Sequence, residues 1–199
     1  MLWNFHTFVS EKIKHNNAMI IEYSFDEDDF LTYQLFTASK SAVLLKRRKR
    51  NKILIPVIYL FLALILLIFN NEILSILFAV VGVLWFFIFP LWEKSLYKRY
   101  YRKHIRENYH QRLGRKCTIE FEEDQIIAKD SGTESRIQNS EIEKIYEIPQ
   151  AIYIKLKSGP SFVLPKEKTQ NLQNVKNYLQ ELSKQLEIAY LHEENWKWK

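Results

Sequence analysis

The chain has 199 residues, with 29 lysines and arginines against 23 aspartates and glutamates and a formal charge of +6. A single cysteine, Cys117, excludes an intrachain disulfide and a cysteine-rich metal site, and it fits a reducing compartment. Mean hydropathy is slightly negative although the apolar residues are gathered in one stretch. What lies outside that stretch suffices for one small domain and flanking helices, not for two large domains.

Residues 1–18 lack a basic segment followed by a continuous apolar core, so they do not read as a signal peptide. Leu2, Phe5, Val9 and Ile13 would share one helical face, which leaves two readings: an interfacial helix, or a dispensable extension ahead of a start at Met19. Residues 19–52 read as a strand and a helix that lead into the membrane. The strand is MIIEYSF, and Ser24 and Glu27 have the S-x-x-E spacing of a capping box, with Asp26, Asp28 and Asp29 in the first turn. The predicted helix runs from about Asp26 into the basic run Lys46, Arg47, Arg48, Lys49, Arg50 and Lys52 and passes Pro56 close to its entry into the membrane.

Two apolar runs follow, at residues 53–69 and 73–92, parted by Asn70, Asn71 and Glu72 and free of ionisable side chains. At about 1.5 Å per residue they reach roughly 25 and 30 Å, near the thickness of a bilayer's hydrocarbon core. The expectation is a transmembrane hairpin over residues 53–92. Residues 93–114 form a basic juxtamembrane helix that brings Lys94, Lys98, Arg99, Arg102, Lys103 and Arg106, with Gly114 as its stop. Cations on both flanks and one glutamate in the turn place both termini in the cytoplasm. The twelve cations are candidate contacts to the membrane surface and to anionic lipid. Orientation and snorkelling alone also account for them. Ser75, Ala79 and Gly82 lie on one face at i, i+4 and i+7, a stripe for helix packing within the hairpin or for a homodimer. Without intramembrane charge the hairpin reads as an anchor rather than a conduit.

From Cys117 the periodicity becomes that of strands. Residues 118–122, 125–129, 133–138, 142–148, 151–157 and 161–164 alternate between turns, including Ser158-Gly159, which points to a meander or small barrel. An amphipathic helix over residues 172–186 buries Leu172, Val175, Tyr178, Leu179, Leu182 and Leu186 and closes a domain of residues 115–188. Residues 189–199 read as a frayed tail in which Trp196 and Trp198 could touch an interface.

The pieces MIIEYSFDEDDFLTYQLFTASKS, YKRYYRKHIREN, TIEFEEDQI and SEIEKIYEIPQAIYIKLKSGPSFVLPK, set around the basic run and two spans, resemble the YcxB-like family of bacterial membrane proteins. The last piece is the most specific; where that family often has a tryptophan before the serine, this chain has Asn139. The resemblance implies a cytoplasmic domain like the small pleckstrin-homology (PH) barrels and brings no activity with it. The residues raise a further expectation on their own: the isolated strand at residues 20–23 would leave backbone groups unpaired, so it should pair with the later strands. The fold class is thus α+β, with a transmembrane hairpin and a small antiparallel barrel-like domain closed by a C-terminal helix.

No phosphate loop, nucleophile elbow or metal-ligand spacing occurs, so no catalytic residue, metal or cofactor is assigned. His104 and His110 lie six apart, on different helix faces. Residues 26–29 are acidic as a helix start is, and Glu120, Glu122, Glu123 and Asp124 surround a hairpin turn. Cys117 heads a strand, where packing explains it better than reactivity. The leading expectation is a non-enzymatic protein of the bacterial inner membrane that presents a binding module to a protein or to anionic lipid. The alternatives are a membrane immunity or stress-protection protein that binds another membrane component, and a membrane-bound enzyme. The expected partners are membrane lipids, a protein, and a second copy as a homo-oligomer; nucleic acid is disfavoured.

Overall fold

The computed structural model describes residues 19–130 and 132–198; the readings placed on residues 1–18 lie outside the described residues. The chain divides into two compact units. One is a β unit of residues 19–24 with Arg115–Glu193, and the other a helical unit of Phe25–Gly114 with residues 194–198.

The β unit starts with β1 (Met19–Ser24), which pairs antiparallel with β2 (Lys116–Phe121) in the register Ile20↔Glu120 and Ser24↔Lys116. The expected pairing of the early strand with a later one is therefore present. Ile21 and Tyr23 are driven inward beside Ile119 and Phe121, as a period of two demands when one sheet face is buried. β3 (Gln125–Asp130) and β4 (Thr133–Gln138) extend this sheet in the order β1-β2-β3-β4.

The second sheet has the order β7-β6-β5-β8. It contains β5 (Ile142–Glu147), β6 (Ala151–Leu156), β7 (Ser161–Pro165) and β8 (Ala189–His192). Antiparallel hairpins join the first three, and β8 lies parallel to β5. α4 (Leu172–Gln185) separates β7 from β8 and buries Val175, Leu179 and Leu182. It touches both sheets: the Tyr178 ring centroid lies 5.3 Å from that of Phe121, and Lys176 reaches Glu147.

Two expectations are corrected here. The sheets do not close into a barrel: among the described residues no ladder joins β4 to β5, and the two four-stranded sheets remain separate. Asn139 and its neighbours form a 3-10 turn that ends the first sheet before β5 begins. The stretch read as a tail is also ordered. Its first part is β8, which satisfies one edge of β5, and its last part packs in the helical unit.

In the helical unit, α1 (Glu27–Lys40) is capped by Asp26 rather than Ser24. Asp29 N–H donates to Asp26 Oδ1 at 2.8 Å, and Asp26 N–H donates to Asp29 Oδ2 at 3.0 Å. Ser24 is unavailable as a cap because its backbone belongs to the β1 ladder. Nor does α1 continue into the basic run. Ser41 is extended (φ −77°, ψ 110°), and its hydroxyl accepts from Leu44 N–H, which ends one helix and starts the next. α2 (Ala42–Ile68) therefore carries the whole basic run and Pro56 in its interior, and α3 (Glu72–Asn108) carries the second apolar run and the second basic set without a break. Both helices are long and apolar enough to cross a membrane, and both are largely uncovered by protein.

α2 and α3 pack through a seven-residue repeat: Pro56 and Ala63 face Ser75, Gly82 and Phe89. Ser75 Oγ donates to the Ala63 carbonyl at 2.8 Å. A Cβ on Gly82 would stand 3.2 Å from Tyr59 Cβ and 3.4 Å from the Pro56 carbonyl, so only glycine allows this approach without displacing the neighbours. On the polar side of α3, Leu31, Leu35 and Ala38 of α1 form a core with Ile105 and Trp198.

Candidate functional site: the basic helices and the Glu147 cluster

The helical geometry sorts the twelve candidate cations into two groups. Arg48 is internal: its Nε donates to Glu93 Oε2 at 2.9 Å, and its guanidinium lies 4.7 Å from the Trp198 ring centroid and 5.6 Å from that of Tyr97. Arg102 meets Asp28 at 2.8 Å and Arg106 meets Glu27 at 2.9 Å, which ties the acidic first turn of α1 to α3. Lys103 pairs with Glu107 one turn on. The hydrogen bond from Arg106 holds the Glu27 carboxyl below the usual carboxylate range. The second group is Lys46, Arg47, Lys49, Arg50, Lys52, Lys94, Lys98 and Arg99, none of which forms an ion pair with a described residue. The acidic run at residues 26–29 thus serves capping and ion pairing.

The small-residue stripe lies inside the hairpin, with Ser75 and Gly82 buried and Ala79 half-buried. Of the two roles the sequence left open, packing within the hairpin accounts for its contacts. Among the described residues no three of histidine, cysteine, aspartate and glutamate converge as metal ligands would. His104 Nδ1 faces the Asn108 amide on its own helix. Cys117 is buried in β2.

Sequence reasoning missed one charged cluster. Glu147, at the end of β5, is 4% exposed. Its Oε1 receives Lys166 at 2.8 Å and Lys176 at 2.6 Å. Its Oε2 accepts the Tyr190 hydroxyl at 2.8 Å and lies 3.3 Å from His192 Nδ1. Burial pushes this carboxyl up, but hydrogen bonds from Lys166, Lys176 and Tyr190 outweigh it and hold the group at about 2. Burial, together with the bond to Glu147, pushes the Tyr190 phenol well above its ordinary value. The cluster joins β5, the turn after β7, α4 and β8. These positions lie up to 45 residues apart, so no local motif betrays it. The only available signal was Glu147 itself, an acid at a buried position of β5 whose other buried positions are Ile142 and Ile145.

Asn139 is also buried, and its amide donates to the carbonyls of Glu122 (3.2 Å) and Glu123 (3.0 Å), so it fastens the β2–β3 turn to the start of β5. The departure from tryptophan at this position therefore falls at a structural clamp.

The architecture is that of an α+β protein in which a helical hairpin interrupts a two-sheet unit. Residues 121–175, from the end of β2 into α4, match the family model described as YcxB-like protein. Over this segment the chain is YcxB-like, in agreement with the resemblance drawn from its sequence motifs. No curated protein and no solved structure matches the chain.

Proposed function

We propose that the chain is a non-enzymatic, two-pass protein of the bacterial inner membrane that presents its β unit as a PH-like binding module on the cytoplasmic side. The observation that carries the membrane reading is the exposure of α2 and α3. Phe61, Ile68, Ile73 and Phe87 are each more than 60% exposed, on helices that protein covers only in small part. An aqueous monomer rarely exposes so large a contiguous apolar surface, whereas lipid covers it without cost. The unpaired cations gather at the ends of α2 and α3 away from the connecting turn, which supports an inside location for those ends. One antiparallel sheet and one mixed sheet, both touched by α4, support the PH-like reading, and its partner would be a protein or the anionic bilayer surface beside the unpaired cations.

The test combines extraction and labelling of the full chain in a Cys117→Ser background. The chain should stay in alkaline-washed membranes. A membrane-impermeant maleimide applied to intact cells should label Glu72→Cys and leave Lys98→Cys unlabelled until lysis. Release by alkaline washing would overturn the membrane assignment, and labelling of Lys98→Cys in intact cells would overturn the orientation. Crosslinking in cells then identifies what the β unit holds.

A further inference from the structure

Beside the Arg48–Glu93 pair, α2 and α3 leave a groove of about 620 Å³, within the size range of small-molecule sites. Beside Leu44, α2 contributes Arg47 and Asn51, one turn apart on the same face; the α3 side is mostly aromatic and aliphatic, with Phe89, Trp92, Leu96 and Tyr100. Trp92, Leu96 and Tyr100 are largely exposed although apolar. Arg47 forms no ion pair with any described residue, and the one carboxylate in the lining, Glu93, is already bound to Arg48. The groove therefore has one positive charge in excess, placed above an aromatic and aliphatic floor.

We propose that this groove binds one glycerophospholipid of net negative charge. The phosphodiester lies against the Arg47 guanidinium and the Asn51 amide, and an acyl chain runs from Trp92 past Phe89 toward the hydrocarbon. Charge complementarity selects the headgroup. Arg47 presents a fork suited to phosphate oxygens, while the ammonium of a zwitterionic headgroup finds no free carboxylate because Arg48 occupies Glu93. This proposal rests on the reading that α2 and α3 span a bilayer. On that reading Asn51 and Trp92 stand where the two apolar runs begin and end, which is the depth of the lipid phosphates and of interfacial aromatic residues.

The experiment is native mass spectrometry of the full chain, purified in detergent and titrated with dioleoylphosphatidylglycerol or dioleoylphosphatidylcholine. The expected result is one retained phosphatidylglycerol, bound about tenfold more weakly by Arg47→Gln and unchanged in Lys184→Gln, which removes one positive charge from α4, away from the candidate cations. Arg47→Lys should fall between them. Each variant's thermal unfolding is recorded, so that loss of fold is distinguished from loss of lipid. Equal binding of the two lipids, or equal loss in Arg47→Gln and Lys184→Gln, overturns the proposal. A chain that resists alkaline extraction yet retains no lipid defeats the groove alone; a chain released by that extraction defeats the membrane reading beneath it.

Discussion

Arg48 and Glu93 are 45 positions apart in sequence, yet they meet at 2.9 Å with side chains only 19% and 9% exposed. The pair closes the hairpin at its polar end, and the rings of Tyr97 and Trp198 cover the guanidinium. Removing one partner of a buried pair leaves an uncompensated charge, which costs more than the pair contributes. Glu93→Gln should therefore destabilise the helical unit by about 2 kcal/mol, below the loss for a fully buried pair because Arg48 keeps some access to solvent. Arg48→Met combined with Glu93→Leu should cost less than Glu93→Gln alone. Thermal unfolding of the detergent-solubilised chain checks the order.

Gly82 sets the distance between α2 and α3. Gly82→Leu should cost about 1–3 kcal/mol, because the added atoms must displace Tyr59 or the Pro56 backbone. Gly82→Ala should cost less, since its Cβ needs the neighbours to give only a few tenths of an ångström. A disulfide engineered between residues 63 and 75, adjacent across the hairpin, should form faster in the wild-type background than in Gly82→Leu.

The Glu147 cluster gives the β unit a defined response to acid. Its folded pKa of about 2 lies below the ordinary carboxylate value. A depressed carboxyl contributes stability in full above its unfolded pKa and loses it as pH falls toward the folded value. This contribution should therefore disappear between about pH 5 and pH 2. Glu147→Gln should remove about 3 kcal/mol at pH 7, by leaving Lys166 and Lys176 without their counter-charge, and its stability should change less with pH across that window. Denaturant titrations at stepped pH measure both slopes.

The register Ser24↔Lys116 makes β1 and β2 a hairpin whose turn has been replaced by residues 25–115, and Gly114 N–H donates to the Phe25 carbonyl at 2.7 Å where the two segments leave the sheet. Joining Ser24 to Lys116 through Asn-Gly, a pair that favours tight hairpin turns, should give a soluble β unit ending at Glu193. The same unit without residues 19–24 should aggregate, because β2 would become an exposed edge and the cover given by Ile21 and Tyr23 would be lost. Dispersion of amide resonances separates the two outcomes.

Local periodicity carried most of the elements. The apolar runs, the strands after Cys117 and the buried face of α4 could all be read in sequence, because each depends on spacing within one segment. What escaped depends on competition or on distance. Ser24 fits a capping box by spacing, but its backbone is needed by β1, and Asp26 takes the role. Ser41 breaks a stretch whose composition reads as one helix, because a single hydroxyl bonded to Leu44 N–H competes with helix continuation. β8 is four residues long and its partner β5 lies parallel and more than 40 residues earlier, beyond any hairpin signal. Trp196 and Trp198 lie in the stretch read as a frayed tail, where they could touch an interface. Yet Trp196 Nε1 donates to Ser39 Oγ at 3.1 Å and Trp198 is 6% exposed. Among the candidate cations, charge could be counted in sequence, but which charges were already spent could not.

The pairing of β1 with β2 also imposes an order in time. β1 leaves the ribosome before β2, and Lys116 comes 92 positions after Ser24. At about 5–20 residues per second that is a wait on the order of 5–20 s. During the wait β1 has no partner in its sheet, while α2 and α3 become available for insertion into the bilayer. Completion of the β unit is thus scheduled after synthesis of its anchor, and a ribosome stalled between Phe25 and Gly114 would hold a lone six-residue strand with nothing to join.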